Sequence, residues 1–301
     1  MKLRVAIPDL ISPSYFPAIA AVELGFFKKE GFDATLELLY PVTKTYEALR
    51  DGQLDIVGGA SHAPLYAFKD WQGCKLLCAL SQNMYWFLVV RADLKPQKGN
   101  LEVARGLKIG AAPGPADGLK RMLQVAGIEP GKDAEIVPVP GLGAGAVSFG
   151  VNAAKALEQG KIDGFWANGM GLEVAVRGGY GALVVDARRD GPEAAKGYTF
   201  AALVATDRLI AENPNAASAA VRAVKAAQKA LAEDPSRSTE IARKLFPPQE
   251  TSLIAELIRR DAPFYDPTIP KARVESMNRF AEDIGLLSGP VPYEKVVATL
   301  P

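Results

Sequence analysis

The sequence offers few residues that could act as nucleophiles or metal ligands: two cysteines and one histidine among 301 residues. Cys74 and Cys78 lie four positions apart in an apolar run, which is more typical of two core thiols than of a redox pair. A single histidine cannot complete the usual ligand sets for zinc. The sequence therefore predicts no metal site and no cofactor. His62 follows residues 58–61 at a predicted strand end, and this position makes it a candidate ligand-binding side chain.

Carboxylates and glycines leave two further kinds of chemistry to consider. Asp9 and Asp117 lie near loops where paired acids could act as general acid and base, but a capping or surface role is more typical of such positions. The glycines of residues 141–145 lack the Gly-Lys-Ser/Thr ending of a phosphate-binding loop and the spacing of a dinucleotide fingerprint. We therefore expect a binding protein rather than an enzyme.

Composition limits the class of partner. Hydrophobic residues make up 49% and charged residues 23% of the chain, which excludes a largely disordered protein. Lys and Arg number 35 against 34 Asp and Glu, and no long basic run suggests nucleic acid or anionic lipid. No apolar stretch approaches the roughly 20 residues of a membrane-spanning helix. A small diffusible molecule is the partner that this composition favours.

An internal repeat indicates two similar halves. Each half has a strand that breaks into a Pro-containing loop and a helix, a second strand, and then a helix that ends at Gly before a short buried strand. The matching pairs of segments are residues 3–8 and 107–112, residues 34–39 and 134–139, and residues 49–57 and 157–165. Strands that alternate with helices predict an α/β fold with one mostly parallel sheet, flanked by helices, in each half.

Two further strand-like runs, 86–90 and 199–204, are predicted to carry the chain from one lobe to the other. Lobe 1 is then expected to comprise residues 1–87 and 203–301, and lobe 2 residues 88–202. From Asp207 onward the pattern is helical, with Pro residues as helix stops. The predicted helices of this tail, which should pack on lobe 1, are 215–231, 238–246, 250–260 and 271–284.

One stretch resembles a known family closely. Residues 15–32 contain a helix, a Gly-Phe-Phe turn and a basic-acidic-glycine cap; residues 48–56 and 107–110 match more loosely. In these features the chain resembles the NMT1/THI5-like and sulfonate/nitrate-type solute-binding proteins of ABC transporters. The resemblance implies a two-lobed, type II periplasmic-binding-protein-like (venus flytrap) fold. It also implies that hinge closure traps a ligand in the inter-lobe cleft, and that a monomer in the periplasm delivers it to a membrane permease.

The location depends on whether a leader precedes this chain, because a sequence complete as written would be cytoplasmic. The alternative function is a cytoplasmic enzyme of the same fold, similar to a pyrimidine synthase or a chorismate-dehydrating enzyme.

Candidate ligand-binding residues lie where ligands bind in open parallel sheets, in the loops beyond the carboxyl ends of strands. Helix N-termini there offer free N–H groups to an anionic or polar ligand, and aromatic rings could hold a flat one. The residues selected on this basis are Asp9, Ser12, Ser14, Tyr15, Tyr40, Thr43, Lys44, Ser61, His62, Trp86, Pro113, Gly114, Gly143, Trp166 and Asn168.

Most of these residues also have a simpler interpretation. Ser12 and Ser14 could serve only as N-caps, Lys44 as a solvated lysine, and the rings as core packing. The loop at 112–116 has two prolines, which lack N–H groups, so it makes a weak clamp for sulfonate or nitrate. Together with Trp166 and Asn168, this loop predicts a small organic ligand that carries a ring and a polar or carboxylate end.

Overall fold

The computed structural model describes residues 1–141 and 148–300. Within these residues there are ten β-strands: β1 (Lys2–Ile7), β2 (Asp33–Leu38), β3 (Ile56–Ala60), β4 (Cys74–Ser81), β5 (Phe87–Arg91), β6 (Lys108–Ala111), β7 (Glu135–Val137), β8 (Gly164–Ala167), β9 (Gly181–Asp186) and β10 (Ala201–Thr206).

The same residues form thirteen α-helices, six of which follow β10. The helices are α1 (Phe16–Glu23), α2 (Phe26–Lys29), α3 (Val42–Arg50), α4 (Pro115–Val125), α5 (Phe149–Glu158), α6 (Gly169–Arg177), α7 (Glu193–Lys196), α8 (Asp207–Glu212), α9 (Pro214–Glu233), α10 (Arg237–Leu245), α11 (Pro248–Asp261), α12 (Lys271–Asp283) and α13 (Tyr293–Val296). No helix in the described part of the chain is both long enough and apolar enough to cross a membrane.

Unit 1 comprises residues 1–83 and 197–301. Its sheet has the strand order β2-β1-β3-β10-β4. β1 pairs in parallel with β2 and β3, whereas β10 runs antiparallel to both β3 and β4. Every residue of β3 is buried, as a central strand with both faces covered requires.

Unit 2 comprises residues 84–196 and repeats this topology. Its strand order is β7-β6-β8-β5-β9; β6, β7 and β8 are parallel, and β5 runs antiparallel to β8 and β9. β5 therefore occupies in this sheet the place that β10 occupies in the sheet of unit 1. The predicted α/β fold, with one mostly parallel sheet in each half, is confirmed.

The division of the chain differs from the predicted one by a few residues. The prediction placed the first boundary inside the strand that begins near residue 87 and the second inside the strand that follows residue 200. Within the described residues β5 pairs with β8 and β9, both in unit 2, and β10 pairs with β3 and β4, both in unit 1. Each crossing therefore precedes its strand, at residues 83–84 and 196–197.

The helical tail belongs to unit 1, and the four predicted helices match α9, α10, α11 and α12 to within a few residues. α9 illustrates the local signals. Pro214 stands in its first turn, the side chain of Asn213 accepts a hydrogen bond from the backbone N–H of Ala216 (3.1 Å), and alanines dominate its buried face. Two strands were not predicted, β4 and β9, which form one edge of each sheet.

Candidate functional site

The loop after β1 lies at the carboxyl edge of the unit 1 sheet and is held from both ends. Asp9 Oδ1 accepts a hydrogen bond from the backbone N–H of Ile11 at 2.9 Å. From the helical tail, Asp261 accepts a hydrogen bond from Ser14 Oγ (3.1 Å), and the Tyr265 hydroxyl donates to the carbonyl of Pro13 (2.7 Å). The tail therefore fixes the shape of this loop. Sequence reasoning missed Asp261 and Tyr265 because no local pattern links residues so far apart in the chain.

Ser12 and Ser14 were predicted to lie at a helix start, and the structure gives them different roles. Helix α1 begins at Phe16 with Tyr15 as its N-cap, and the Tyr15 side chain makes no capping hydrogen bond. Ser14 is held by Asp261, whereas Ser12 is 1% exposed and its Oγ has no hydrogen-bond partner among the described residues. A buried hydroxyl without a partner is unfavourable, so Ser12 is the polar group of this loop that a bound molecule could satisfy.

Tyr40 lies beyond the carboxyl end of β2, within the electrostatic field of Asp9. Burial, followed by the negative charge of Asp9, raises the pKa of the Tyr40 hydroxyl to about 12. Tyr40 is therefore a neutral hydrogen-bonding group at physiological pH. The loops after β1 and β2 begin side by side at this edge, because the two strands are parallel neighbours with Ile7 opposite Leu38.

This pKa can be measured in a titration. We expect the ultraviolet tyrosinate signal that is lost in Tyr40→Phe to appear near pH 12, and to appear at lower pH in Asp9→Asn. Because the pKa rises on folding, the contribution of Tyr40 to stability is complete below pH 10 and is lost as the pH rises towards 12. A Tyr40 difference signal centred near pH 10 would contradict the described environment.

Thr43 and Lys44 lie in the first turn of α3, whose N-cap is Pro41. Lys44 Nζ donates a hydrogen bond to Glu47 Oε2 on the same helix at 2.8 Å, and both side chains are exposed. Thr43 is half-buried. Lys44 is thus in a surface ion pair of α3, a type of interaction that contributes little to stability. Its role as an anion-binding side chain stays a prediction.

Ser61 and His62 follow β3 and are fully buried. Ser61 Oγ accepts a hydrogen bond from the backbone N–H of Phe200 (3.1 Å) and lies 3.2 Å from Thr199 Oγ1. His62 Nδ1 lies 2.9 Å from the same Thr199 hydroxyl, and the Phe280 ring packs edge-on against the imidazole with ring centroids 5.3 Å apart. Thr199, which sequence reasoning assigned only to a crossing strand, therefore holds both residues. Ligand contact by His62 stays a prediction.

The equivalent edge of unit 2 is formed by helix N-termini. Gly114 is the N-cap of α4, with a left-handed φ of 86° that suits glycine, and Pro113 before it is exposed. Asn168 caps α6: its Oδ1 accepts hydrogen bonds from the backbone N–H groups of Met170 (3.1 Å) and Gly171 (3.2 Å). Gly143 lies outside the described residues. Asn168 therefore has a structural role as the cap of α6. A ligand would have to contact this side chain while Oδ1 keeps its two hydrogen bonds.

Trp166 and Trp86 pack in the interior of unit 2. Trp166 has no exposed surface, and its Nε1 donates a hydrogen bond to the carbonyl of Pro115 at 3.0 Å. The Trp86 ring lies beside it, with centroids 6.1 Å apart, and is also buried. Strand β8 is thereby tied to the start of α4. Packing explains both rings, and ligand contact by either ring is untested.

The described residues offer little nucleophilic chemistry. Burial raises the pKa of the Cys78 thiol to about 12 and that of Cys74 well above its usual value, so neither forms a thiolate at neutral pH. In residues 1–141 and 148–300, no group of three or more His, Cys, Asp and Glu side chains is placed to hold a metal ion. The candidate residues at the carboxyl edge of each sheet are instead hydroxyls, carboxylates, amides and rings, most of them buried, and their contact with a polar organic ligand stays a prediction.

Solved structures share this fold over nearly the whole chain. The alkanesulfonate-binding protein SsuA from Xanthomonas axonopodis pv. citri, bound to MOPS, is 14% identical with a TM-score of 0.73, covering 98% of this chain and 96% of that one. The periplasmic nitrate-binding protein NrtA from Synechocystis PCC 6803 is 16% identical with a TM-score of 0.72, covering 98% and 83%. A cysteine-to-serine mutant of DSZB in complex with biphenyl-2-sulfinic acid is 16% identical with a TM-score of 0.63, covering 98% and 96%.

At these identities the structural likeness establishes the fold and no more. No curated protein matches the sequence. The family model described as the NMT1-like family matches residues 12–245, a span that runs from the loop after β1 to the end of α10. The match covers well over half of the sequence, and the chain therefore belongs to the NMT1-like family.

Proposed function

We propose that this protein is the solute-binding component of an ABC importer and captures a small organic molecule. The observation that carries the proposal is the buried Ser12 hydroxyl at the carboxyl edge of the unit 1 sheet, which has no hydrogen-bond partner in residues 1–141 and 148–300. Membership of the NMT1-like family and the shared fold of the sulfonate- and nitrate-binding proteins support it. A permease partner, a monomeric state and a periplasmic location are parts of the same proposal.

The ligand that we propose carries a ring and a neutral polar or carboxylate end. Lys44, the lysine predicted to receive an anion, pairs with Glu47 on its own helix. Asp9 adds a negative charge near Tyr40, which disfavours a second anion beside them. A ring with a neutral polar end, such as an aromatic amide, therefore fits this edge better than nitrate or a short alkanesulfonate does, because the half-buried Tyr40 combines an aromatic ring with a neutral hydroxyl. An aromatic acid fits only with its carboxylate directed away from Asp9.

A thermal-shift screen tests the proposal. The panel consists of aromatic acids and amides, amino-acid derivatives, pyrimidines, nitrate and alkanesulfonates, and a ligand that binds only the native state raises the melting temperature. For the best hit we expect Ser12→Ala to weaken binding about tenfold, because the ligand loses one hydrogen bond. The same variant should unfold no more easily than wild type, since the hydroxyl that it removes has no hydrogen-bond partner in the part of the chain that the structure describes.

Lys229→Gln is the control for Ser12→Ala, because it removes an exposed ion pair on α9 that involves no candidate ligand-binding residue and should leave affinity unchanged. If no compound in the panel raises the melting temperature, the solute-binding proposal fails. If a ligand binds but Ser12→Ala has no effect on its affinity, the assigned site is wrong.

An enzyme of the same fold is the second candidate, since the DSZB structure holds biphenyl-2-sulfinic acid within a related fold. The buried Cys74 and Cys78 thiols oppose a thiolate mechanism, although carboxylate catalysis by a residue such as Asp9 stays open. Chromatography of the incubated ligand separates the two functions. A solute-binding protein returns the ligand unchanged, whereas turnover of the ligand would replace the transport proposal by the enzyme proposal.

A further inference from the structure

A cavity of about 470 Å³ opens in unit 1 at the sheet edge opposite to the candidate site. β1, β3 and β4 run in one direction and β10 in the other, so the start of β4 and the end of β10 both lie at this edge. None of the predicted ligand-binding residues lines the cavity. Its walls are formed by residues 70–72, Lys75, Asp207, residues 288–292 and Lys295.

Trp71 gives this cavity two features that packing alone does not explain. The side chain is 3% exposed, and among the described residues its Nε1–H has no acceptor. Asp70 and Trp71 also adopt left-handed backbone conformations in succession, with φ of 51° and 62°. Residues other than glycine rarely do so, and such strained positions cluster at binding sites. A buried donor without an acceptor is equally uncommon in native proteins.

The charges around the cavity are balanced. Lys75 and Lys295 supply two cations, and Asp70 and Asp207 supply two carboxylates. Lys75 Nζ is positioned by a hydrogen bond to the carbonyl oxygen of Glu294. Since both signs occur on one rim, a ligand with a single charge meets repulsion as well as attraction there, whereas a ligand with both charges can meet each opposite group.

Part of the remaining wall is apolar, and the available space suits a small molecule. Pro290, Val291 and Pro292 line the cavity together with the Trp71 indole. A second cavity of about 480 Å³ shares Gln72 and Asp207 with it. Volumes of roughly 300–1,000 Å³ are typical of small-molecule sites.

We propose that this cavity is a second binding site, separate from the proposed transport site, that takes a small zwitterion such as a free amino acid. The carboxylate lies towards Lys75, Lys295 and the Trp71 N–H, and the ammonium group lies towards Asp70 and Asp207. The apolar side chain contacts the Pro290–Pro292 wall. None of these contacts involves the transport ligand or its candidate residues. The proposal of a second site can therefore be correct or wrong independently of the proposed function.

Isothermal titration of the full chain with the amino acid leucine tests this site. N-acetyl-leucine keeps only the negative charge of leucine, and leucinamide keeps only the positive one. We expect leucine to bind, and both derivatives to bind at least about tenfold more weakly. Lys295→Gln and Trp71→Phe should each weaken leucine binding about tenfold, because each removes a group that meets the carboxylate.

Two controls locate the binding. Lys229→Gln, which changes an exposed lysine on α9, and Tyr40→Phe, at the candidate transport site, should leave leucine affinity unchanged. The proposal is overturned if leucine does not bind, if either singly charged derivative binds as tightly, or if Tyr40→Phe and not Lys295→Gln abolishes binding. In the last case the leucine would occupy the transport site.

Discussion

Replacing Trp166 with alanine should destabilise unit 2 by about 3–5 kcal/mol, the usual cost of removing a large aromatic side chain from a core. The ring has no exposed surface, and its Nε1 donates to the carbonyl of Pro115, which would lose its donor. Trp86 would lose its neighbour on one side. Equilibrium urea unfolding followed by circular dichroism measures the effect, with a separate fit for each unit if two transitions appear.

Trp166→Phe is the control that separates packing from hydrogen bonding. It retains most of the buried apolar surface and loses the N–H group, so we expect a smaller loss of about 1–3 kcal/mol. If Trp166→Ala unfolds at nearly the wild-type urea concentration but no longer binds ligand, Trp166 is a ligand contact and not a core residue. That result would support the prediction from the sequence that the Trp166 ring contacts the ligand.

Replacing Gly171 with alanine should lower the free energy of unfolding of unit 2 by about 3 kcal/mol, the upper end of the usual range for overpacking. A Cβ at this position would lie 2.5 Å from the carbonyl oxygen of Gly150 and 2.9 Å from its Cα. These are backbone atoms of α5, so relief requires α5 and α6 to move apart. The usual helix-propensity gain of about 1 kcal/mol for Gly to Ala is too small to offset that movement.

Gly118→Ala in α4 is the matched control. The Cβ there would approach the Met84 sulfur to 2.8 Å, but that atom belongs to a flexible side chain that can rotate away. The nearest Trp86 atom, at 3.5 Å, is at an ordinary contact distance. We expect Gly118→Ala to change the melting temperature much less than Gly171→Ala. Equal losses for the two variants would contradict the close approach of α5 and α6.

The local elements of the fold were predictable because each has its signal in a few neighbouring residues. The strand-loop-helix repeat, the Gly-terminated helices and the helices of the tail were all found from periodicity and capping residues. Strands β4 and β9 were missed. β4 is an almost wholly buried run that follows a turn, and periodicity alone does not distinguish such a run from other buried segments.

The candidate site was predictable as a place but not as a set of interactions. The sequence located the loops at the carboxyl edges, and it selected Ser12, Ser14, Lys44 and Asn168 within them. It could not distinguish Ser14, held by Asp261, from Ser12, whose hydroxyl has no partner in the described part of the chain. It also could not show that Lys44 is paired with Glu47 rather than available to an anion. These differences depend on which side chains the fold brings into contact.

The sequence by itself determined the fold class, the repeat, the family and the scarcity of nucleophiles and metal ligands. These properties follow from composition and from patterns a few residues long. Only the tertiary structure decided that β5 and β10 each enter a sheet antiparallel to their neighbours, that Thr199 holds Ser61 and His62, and that Trp71 lines a cavity. Each of these depends on residues far apart in the chain, whose contacts are selected by the burial of the whole unit and not by local preference.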